Sequence, residues 1–396
     1  MLRAQWTLVL NYMMFACLLN TTGVMVARLV AEYGISEIGA ALIENSRDLT
    51  VSLVSFFVVS RVIRWGARRM MVIIQIALVV GCLIMAIGQS YAAAYVLFLI
   101  AGGSFALMKG SAMILAHETS ANATSFGRMV NILDGVFMVG AMIGPLIFAW
   151  VMSMGWPWEY TYFVLTLLVL PIIYLNATFP TEGIDRTAKT ESNRATMRRH
   201  LSRRELWPWL AMSVCYVMYE QSFGTWLPLF NERYLLLDPI RAAQMLSLYV
   251  LGIALSRFMM AAIADRVSWF AVLGGMLVVA LLLHTLTVSG LTQRWLGGAL
   301  PAALVFATLG FFIGPIYPTL NALLLMRTPR SDQASMQGLL VVFSASGGML
   351  GSMMLGAMMR SMDANLAYVS SLVPLTLLLA SLFVIRKKAA LLPETV

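Results

Sequence analysis

The 396-residue chain predicts an all-α polytopic membrane protein, with twelve transmembrane helices in two six-helix bundles. Three observations predict it. The composition is 60% hydrophobic and 11% charged, where a soluble domain carries about 25% charged residues. Apolar stretches that match the bilayer, about 20 residues each, recur along the whole length. A single long polar stretch, PTEGIDRTAKTESNRATMRRHLSRRE, divides them six and six.

The apolar segments fall at 5–28, 36–60, 69–89, 92–116, 129–153 and 158–179, then at 207–230, 241–263, 268–289, 299–325, 334–359 and 364–385. The first follows a single basic residue, Arg3. It is too long for a signal-peptide core and lacks a cleavage site, so it reads as a retained membrane helix. The predicted domains are an N-terminal bundle over 1–180, a cytoplasmic linker over 181–206 and a C-terminal bundle over 207–396. The 13 prolines and 29 glycines fit this reading, because transmembrane helices tolerate both. Pro315 and Pro318 are placed to break the tenth helix. Trp156, Trp158, Trp207 and Trp209 read as an interfacial belt, and the sequons at Asn122 and Asn176 as chance matches. Cys17, Cys82 and Cys215 lie within apolar segments and form neither a disulfide framework nor a metal site.

The basic residues set the orientation. With the N-terminus inside, nineteen of them are cytoplasmic, five are outside (Arg28, Arg233, Arg241, Arg294 and Arg360), and Arg47, Lys109 and Arg257 remain within helices. This asymmetry follows the positive-inside rule. It accounts for the net charge of +9 through contact with lipid headgroups, without a nucleic-acid partner.

The halves repeat. A shift of 207 residues places Gly103 on Gly310, Phe105 on Phe312, and GAMIG (Gly140–Gly144) on GGMLG (Gly347–Gly351). Two repeated six-helix halves with substrate handled at their interface are a common transporter plan.

Ionisable residues at membrane depth cost at least about 2.5–3.5 kcal/mol and mark functional pathways. Seven qualify: Glu44, Arg47, Asp48, Lys109, Asp134, Glu220 and Arg257. At about 1.5 Å per residue, Asp48 and Glu220 lie near mid-membrane. Glu44 and Asp48 share a helix face at i, i+4. Two such carboxylates in a low dielectric do not both ionise cheaply, so one is expected to hold a proton. Arg47, about 100° round the helix from Asp48, is expected to pair with an acid on another helix. The alternative for Glu44 is an interfacial position ahead of a later helix start. Lys109 and Asp134 lie at similar depth and read equally as a structural or a functional pair; Arg257 reads as a cytoplasmic snorkelling arginine. The proton-coupling candidates are therefore Asp48, Asp134, Glu220 and Glu44. The substrate-binding candidates are Arg47, Lys109, Asn131, Tyr219, Gln221, Trp226, Tyr317 and Asn321, with Tyr216 beside them, because rings with polar tips suit a hydroxylated solute. His117, His200 and His284 form no constellation. No metal site, catalytic triad or phosphate loop is assembled by spacing, so no cofactor and no enzymatic activity are expected. The predicted partners are a small solute, protons and the bilayer, with a monomeric protein.

RWGARR (Arg64–Arg69) and ADRVSW (Ala264–Trp269) resemble the loop signature of the major facilitator superfamily. The resemblance makes Arg64, Gly66, Arg68, Arg69, Asp265 and Arg266 gating-loop residues. The first copy lacks the usual aspartate and the second the glycine. Within that superfamily, GRMVNILDGVFMVGAMIGPLI, YVMYEQSFGTWLPLF and IYPTLNALL are similar to stretches of the fucose–galactose–glucose:proton symporter group, including fucose permease and TsgA-type transporters. The TsgA-type branch is the nearer match, since SFALMKG carries no acid where the sugar permeases place a proton-binding carboxylate. The resemblance implies a proton-coupled symporter of a small polar solute, sugar-like or hydroxylated and anionic, working by alternating access in a bacterial inner membrane with both termini cytoplasmic. The alternative is a proton antiporter that expels drugs or a metabolite, since GAMIGP also resembles the glycine-proline signature of antiporters. A membrane enzyme or receptor would need a catalytic cluster or a sizeable extramembrane domain, and neither is visible.

Overall fold

The computed structural model describes residues 2–57, 65–118, 123–178, 199–263, 268–289, 299–326, 328 and 333–389. They form fifteen α-helices and one 3-10 turn at Trp158–Tyr160. In chain order the helices are α1 (Leu2–Leu19), α2 (Thr22–Tyr33), α3 (Glu37–Phe57), α4 (Ala67–Gly88), α5 (Tyr91–Glu118), α6 (Ala123–Ser153), α7 (Thr161–Ala177), α8 (Trp207–Arg233), α9 (Pro239–Ile263), α10 (Trp269–Val288), α11 (Ala299–Ile313), α12 (Ile316–Met326), α13 (Gln333–Ser361), α14 (Ala364–Val369) and α15 (Leu372–Ala389). Ten spans among them are long and apolar enough to cross a membrane, counting α1–α2, α11–α12 and α14–α15 as one span each. The other two crossing segments are α3, with Glu37, Glu44, Arg47 and Asp48, and α8, with Glu220, Gln221 and several Trp and Tyr residues. The two least apolar helices are thus those richest in candidate residues. The arrangement is two six-helix bundles.

Three crossing segments are broken. The first splits at Asn20–Thr21, where one continuous helix is predicted. Three consecutive polar side chains turn back on the backbone there: Asn20 Nδ2 donates to Ala16 O at 2.8 Å, Thr21 Oγ1 to Leu18 O at 2.7 Å and Thr22 Oγ1 to Leu19 O at 2.6 Å. Such bonds compete with the helical ladder. The tenth segment breaks at Gly314–Pro315, where the prolines place it. Pro318 falls in the first turn of α12, where a missing N–H leaves no intrahelical bond unmade. The last segment breaks at Ser370–Ser371, which the sequence pattern does not signal.

Packing divides the chain into two compact units, Met1–Thr190 with Pro239–Ser247, and Glu191–Asp238 with Leu248–Val396. In the first unit α1 packs along α6, α4 against α5 and α7, and α3 against α5. In the second, α8 packs along α13 and α10 against α11 and α15. The repeated glycines explain the shared pattern. A Cβ on Gly140 or Gly144 of α6 would overlap the carbonyls of Met13 and Cys17 on α1. A Cβ on Gly347 or Gly351 of α13 would overlap those of Val214 and Met218 on α8. Small residues let membrane helices approach backbone to backbone, and the 207-residue repeat preserves that contact in each unit.

Two of the four tryptophans assigned to an interfacial belt are core residues. Trp158 is buried and its Nε1 donates to Glu32 Oε2 at 3.0 Å, and Trp209 is buried as well. Trp156 and Trp207 are exposed. In the first unit, buried Asn11, Gln75 and Asn176 tie α1, α4 and α7 together. Asn11 and Asn176 exchange bonds at 3.0 and 3.1 Å, and Gln75 Nε2 donates to Asn11 Oδ1 at 2.6 Å. Buried amides at this depth require partners; these three supply several to one another, and Asn11 Nδ2 also donates to Thr7 O at 2.7 Å.

Candidate functional site

In the first unit the candidate site is built on α3. Glu44, Arg47 and Asp48 all lie inside the helix, and Glu44 is buried, so the interfacial alternative for it does not hold. Arg47 does not pair with an acid on another helix. Its Nε lies 2.9 Å from Asp48 Oδ1 and its Nη2 lies 3.2 Å from Glu44 Oε1. The guanidinium has five donors in a planar fork on a long stem, which lets it bend back to the positions before and after it. Its Nη1 reaches across to the break in the first segment, donating to Leu19 O at 3.3 Å and Thr22 Oγ1 at 3.2 Å. One arginine stands between two carboxylates of its own helix.

Lys109 on α5 and Asp134 on α6 are both exposed and do not form an ion pair with each other. The spacing that sets them at similar depth leaves their side chains apart. The Asn131 side chain lies outside the described residues, as do Arg64, Asp265 and Arg266. Gly66 has φ +87, a conformation that favours glycine, and it opens α4. Arg68 donates to Ala177 O at the end of α7, and Arg69 is exposed.

In the second unit Arg257 is not a snorkelling residue. Its Nη2 lies 3.3 Å from Glu220 Oε1, and its Nε donates to Gly314 O at 3.0 Å. That carbonyl would accept from residue 318 in an unbroken helix, and Pro318 has no N–H to give. The Tyr216 hydroxyl approaches the same carbonyl at 3.5 Å. Tyr216 and Tyr317 stack at 5.3 Å with 17° between their planes, and Tyr317 donates to Ser344 Oγ at 3.2 Å. Asn321 lines a small cavity with both tyrosines. Gln221 approaches Gly348 of α13, where a Cβ would meet its amide.

Tyr219 and Trp226, expected on a solute-facing wall, are core residues. Both are completely buried. Trp226 Nε1 donates to Ser352 O at 3.1 Å. The Tyr219 hydroxyl meets His284 Nδ1 at 3.0 Å, and His284 Nε2 meets Tyr368 O at 2.9 Å. A carbonyl only accepts, so Nε2 carries the proton and Tyr219 donates to Nδ1. Their neighbours on α8 turn other ways, because successive helical residues are about 100° apart. Sequence reasoning left His284 without partners and missed the Asn11–Gln75–Asn176 triad, since neither has a spacing signature. The Gly314 carbonyl was open to inference from Pro318 four residues on.

Two charged clusters thus lie inside the helical bundles of a membrane protein, each seated where a crossing helix is broken. The model of the Major Facilitator Superfamily matches residues 8–352, and the chain belongs to that family of transporters. Its fold is similar to that of the nucleoside transporter NupG (TM-score 0.80, 10% identity, covering 96% of this chain and 99% of that one). It is also similar to a D-xylose-proton symporter (TM-score 0.73, 15% identity, covering 100% and 98%). A third similar structure is described as giving insight into substrate recognition in proton dependent oligopeptide transporters (TM-score 0.70, 14% identity, covering 99% and 98%). No curated protein matches the sequence.

Proposed function

We propose that the protein is a proton-coupled secondary active transporter of a small polar solute, sugar-like or hydroxylated and anionic, working by alternating access. The observation that carries the reading is the Glu44–Arg47–Asp48 cluster, a buried group of ion pairs inside a crossing helix whose arginine also reaches the break in the first segment. Ionisable groups held at membrane depth mark proton and substrate pathways. Glu220 with Arg257 supplies a third carboxylate, and a solute anion or a proton competes directly for its salt bridge. Asp134 is a further proton candidate, and Lys109 and Arg47 are clamps for an anionic group. Gln221, Tyr317 and Asn321 are the proposed polar contacts for hydroxyls, on the part of their surface outside the small cavity that Tyr216 helps to line. The same fold occurs in a D-xylose-proton symporter and in the structure bearing on proton dependent oligopeptide transporters, which supports proton coupling. Tyr216–Glu220 and the Tyr317–Thr319 motif keep the fucose–galactose–glucose:proton symporter group as the reading of kinship. The protein acts as a monomer in a bacterial inner membrane with both termini cytoplasmic.

Thermal stabilisation of the purified protein by a panel of sugars, hydroxylated acids and lipophilic cations, at pH 6 and pH 8, tests this. Stabilisation by a polar solute that changes with pH and is lost in Asp48→Asn or Glu220→Gln is expected. Stabilisation by lipophilic cations alone overturns symport in favour of antiport efflux.

A further inference from the structure

Beside the turn of α8 that precedes Glu220 lies a cavity of about 10 Å³, whose walls include Ser213, Tyr216, Tyr317 and Asn321. That volume is about one water-sized probe and excludes a solute. Most of the wall is apolar, and two polar groups stand out against it. Ser213 is only 3% exposed, and its hydroxyl has no hydrogen-bond partner among the described residues. Helical serines commonly donate to a carbonyl one turn back, as Ser222 does to Met218 on this helix; Ser213 does not. The Asn321 amide, across the cavity on α12, makes no hydrogen bond to any described residue either. A buried hydroxyl and a half-buried amide lining one gap of this size are the setting in which proteins hold internal water.

We propose that this cavity binds one water molecule, held by Ser213 and Asn321, and that this water relays protons to Glu220 through Tyr216. The inference rests on the proton-coupling role proposed for Glu220. Tyr216 lines the cavity and also stands against Glu220 and Arg257. The titratable groups facing Glu220 are Tyr216 on its own helix and Arg257 on α9, with Tyr249 of α9 further off. Tyr317, on α12, stacks on Tyr216 and commits its hydroxyl to Ser344. The transfer is a concerted shift. The Tyr216 hydroxyl turns from the Gly314 carbonyl to Glu220, and its O–H bond breaks as the proton forms a bond to a Glu220 carboxylate oxygen. A water proton restores the tyrosine hydroxyl, and the water oxygen takes a proton from bulk. One proton moves from bulk to Glu220, and no group is oxidised or reduced.

The experiment needs no transported solute. X-ray footprinting of the protein in oxygen-18 water reads bound water as label on Tyr216, Tyr317 and Met212, a further residue of the cavity wall. A pH jump followed by infrared spectroscopy reads the carboxyl band, assigned with Glu220→Gln. Rapid labelling of the native protein is expected. Ser213→Val and Asn321→Leu are expected to lose most of the label and to slow the rise of the band on the order of 100-fold, as loss of a positioned proton path does. Ser213→Thr, which keeps the hydroxyl, is expected to retain both. An unlabelled native protein overturns the proposal, since the cavity is then dry. Label lost with the rate unchanged also overturns it, since the water is then only structural. If Glu220→Gln leaves the band unchanged, what fails is the proton role of Glu220 itself.

Discussion

Arg257 Nε donates at 3.0 Å to the carbonyl of Gly314, the one carbonyl of that helix that Pro318 is placed to leave without its helical partner. The same guanidinium holds Glu220 through Nη2. A break in one helix, a cation on a second and a carboxylate on a third are thereby joined within one unit.

Removing the cation should therefore be costly. Arg257→Met takes the guanidinium from Glu220; the pair is about a quarter exposed (26% and 23%), so the cost is expected to fall below the about 3–5 kcal/mol of a fully buried pair. The double variant Arg257→Met/Glu220→Gln is expected to recover much of that loss. Thermal unfolding midpoints of the two variants, compared in one detergent, check it.

Asp48→Asn takes from Arg47 Nε the carboxylate oxygen that stands 2.9 Å away and keeps the Nη2–Glu44 contact at 3.2 Å. A hydrogen bond to a charged group contributes about 1.5–3 kcal/mol, and the variant is expected to lose stability on that order. Thermal unfolding midpoints of native and variant protein in one detergent measure this, and an unchanged midpoint would show that the contact contributes nothing to the fold.

Gly144→Val and Gly351→Val test the repeat as packing. Each puts side-chain atoms where a backbone carbonyl of the facing helix stands, Cys17 for the first and Met218 for the second. Overpacking of this kind costs about 1–3 kcal/mol, and more where only backbone can move. Both variants are expected to lower the unfolding midpoint, whereas Gly275→Ala, with open space around it, is expected to leave it near the native value.

Asn11→Leu removes the centre of the amide triad and leaves Gln75 and Asn176 buried without their partner. A buried polar group so stranded costs about 1–3 kcal/mol. Replacing all three with leucine is expected to restore most of the stability. Chemical or thermal unfolding in detergent reads both.

The fold was legible in the sequence because bilayer thickness and backbone hydrogen bonding leave an apolar stretch of about 20 residues few other structures to adopt. Twelve crossing segments, the six-plus-six division and the break at Pro315 follow from that constraint. So does the list of buried charges, since Glu44, Asp48 and Glu220 stand out against an apolar background. What each charge touches was decided only by tertiary structure. Arg47 and Arg257 have long side chains whose partners depend on which carbonyls neighbouring helices leave open, and spacing along one helix does not encode that. Tyr219 and Trp226 read like a binding wall but are buried, because a helix turns about 100° per residue and the packing of α10, α13 and α14 against α8 sets which side is core. The sequence by itself determined which helices form and which residues are too polar to lie in lipid. The tertiary structure alone decided which of them meet, because those contacts join residues up to 165 positions apart and exist only once the helices have packed.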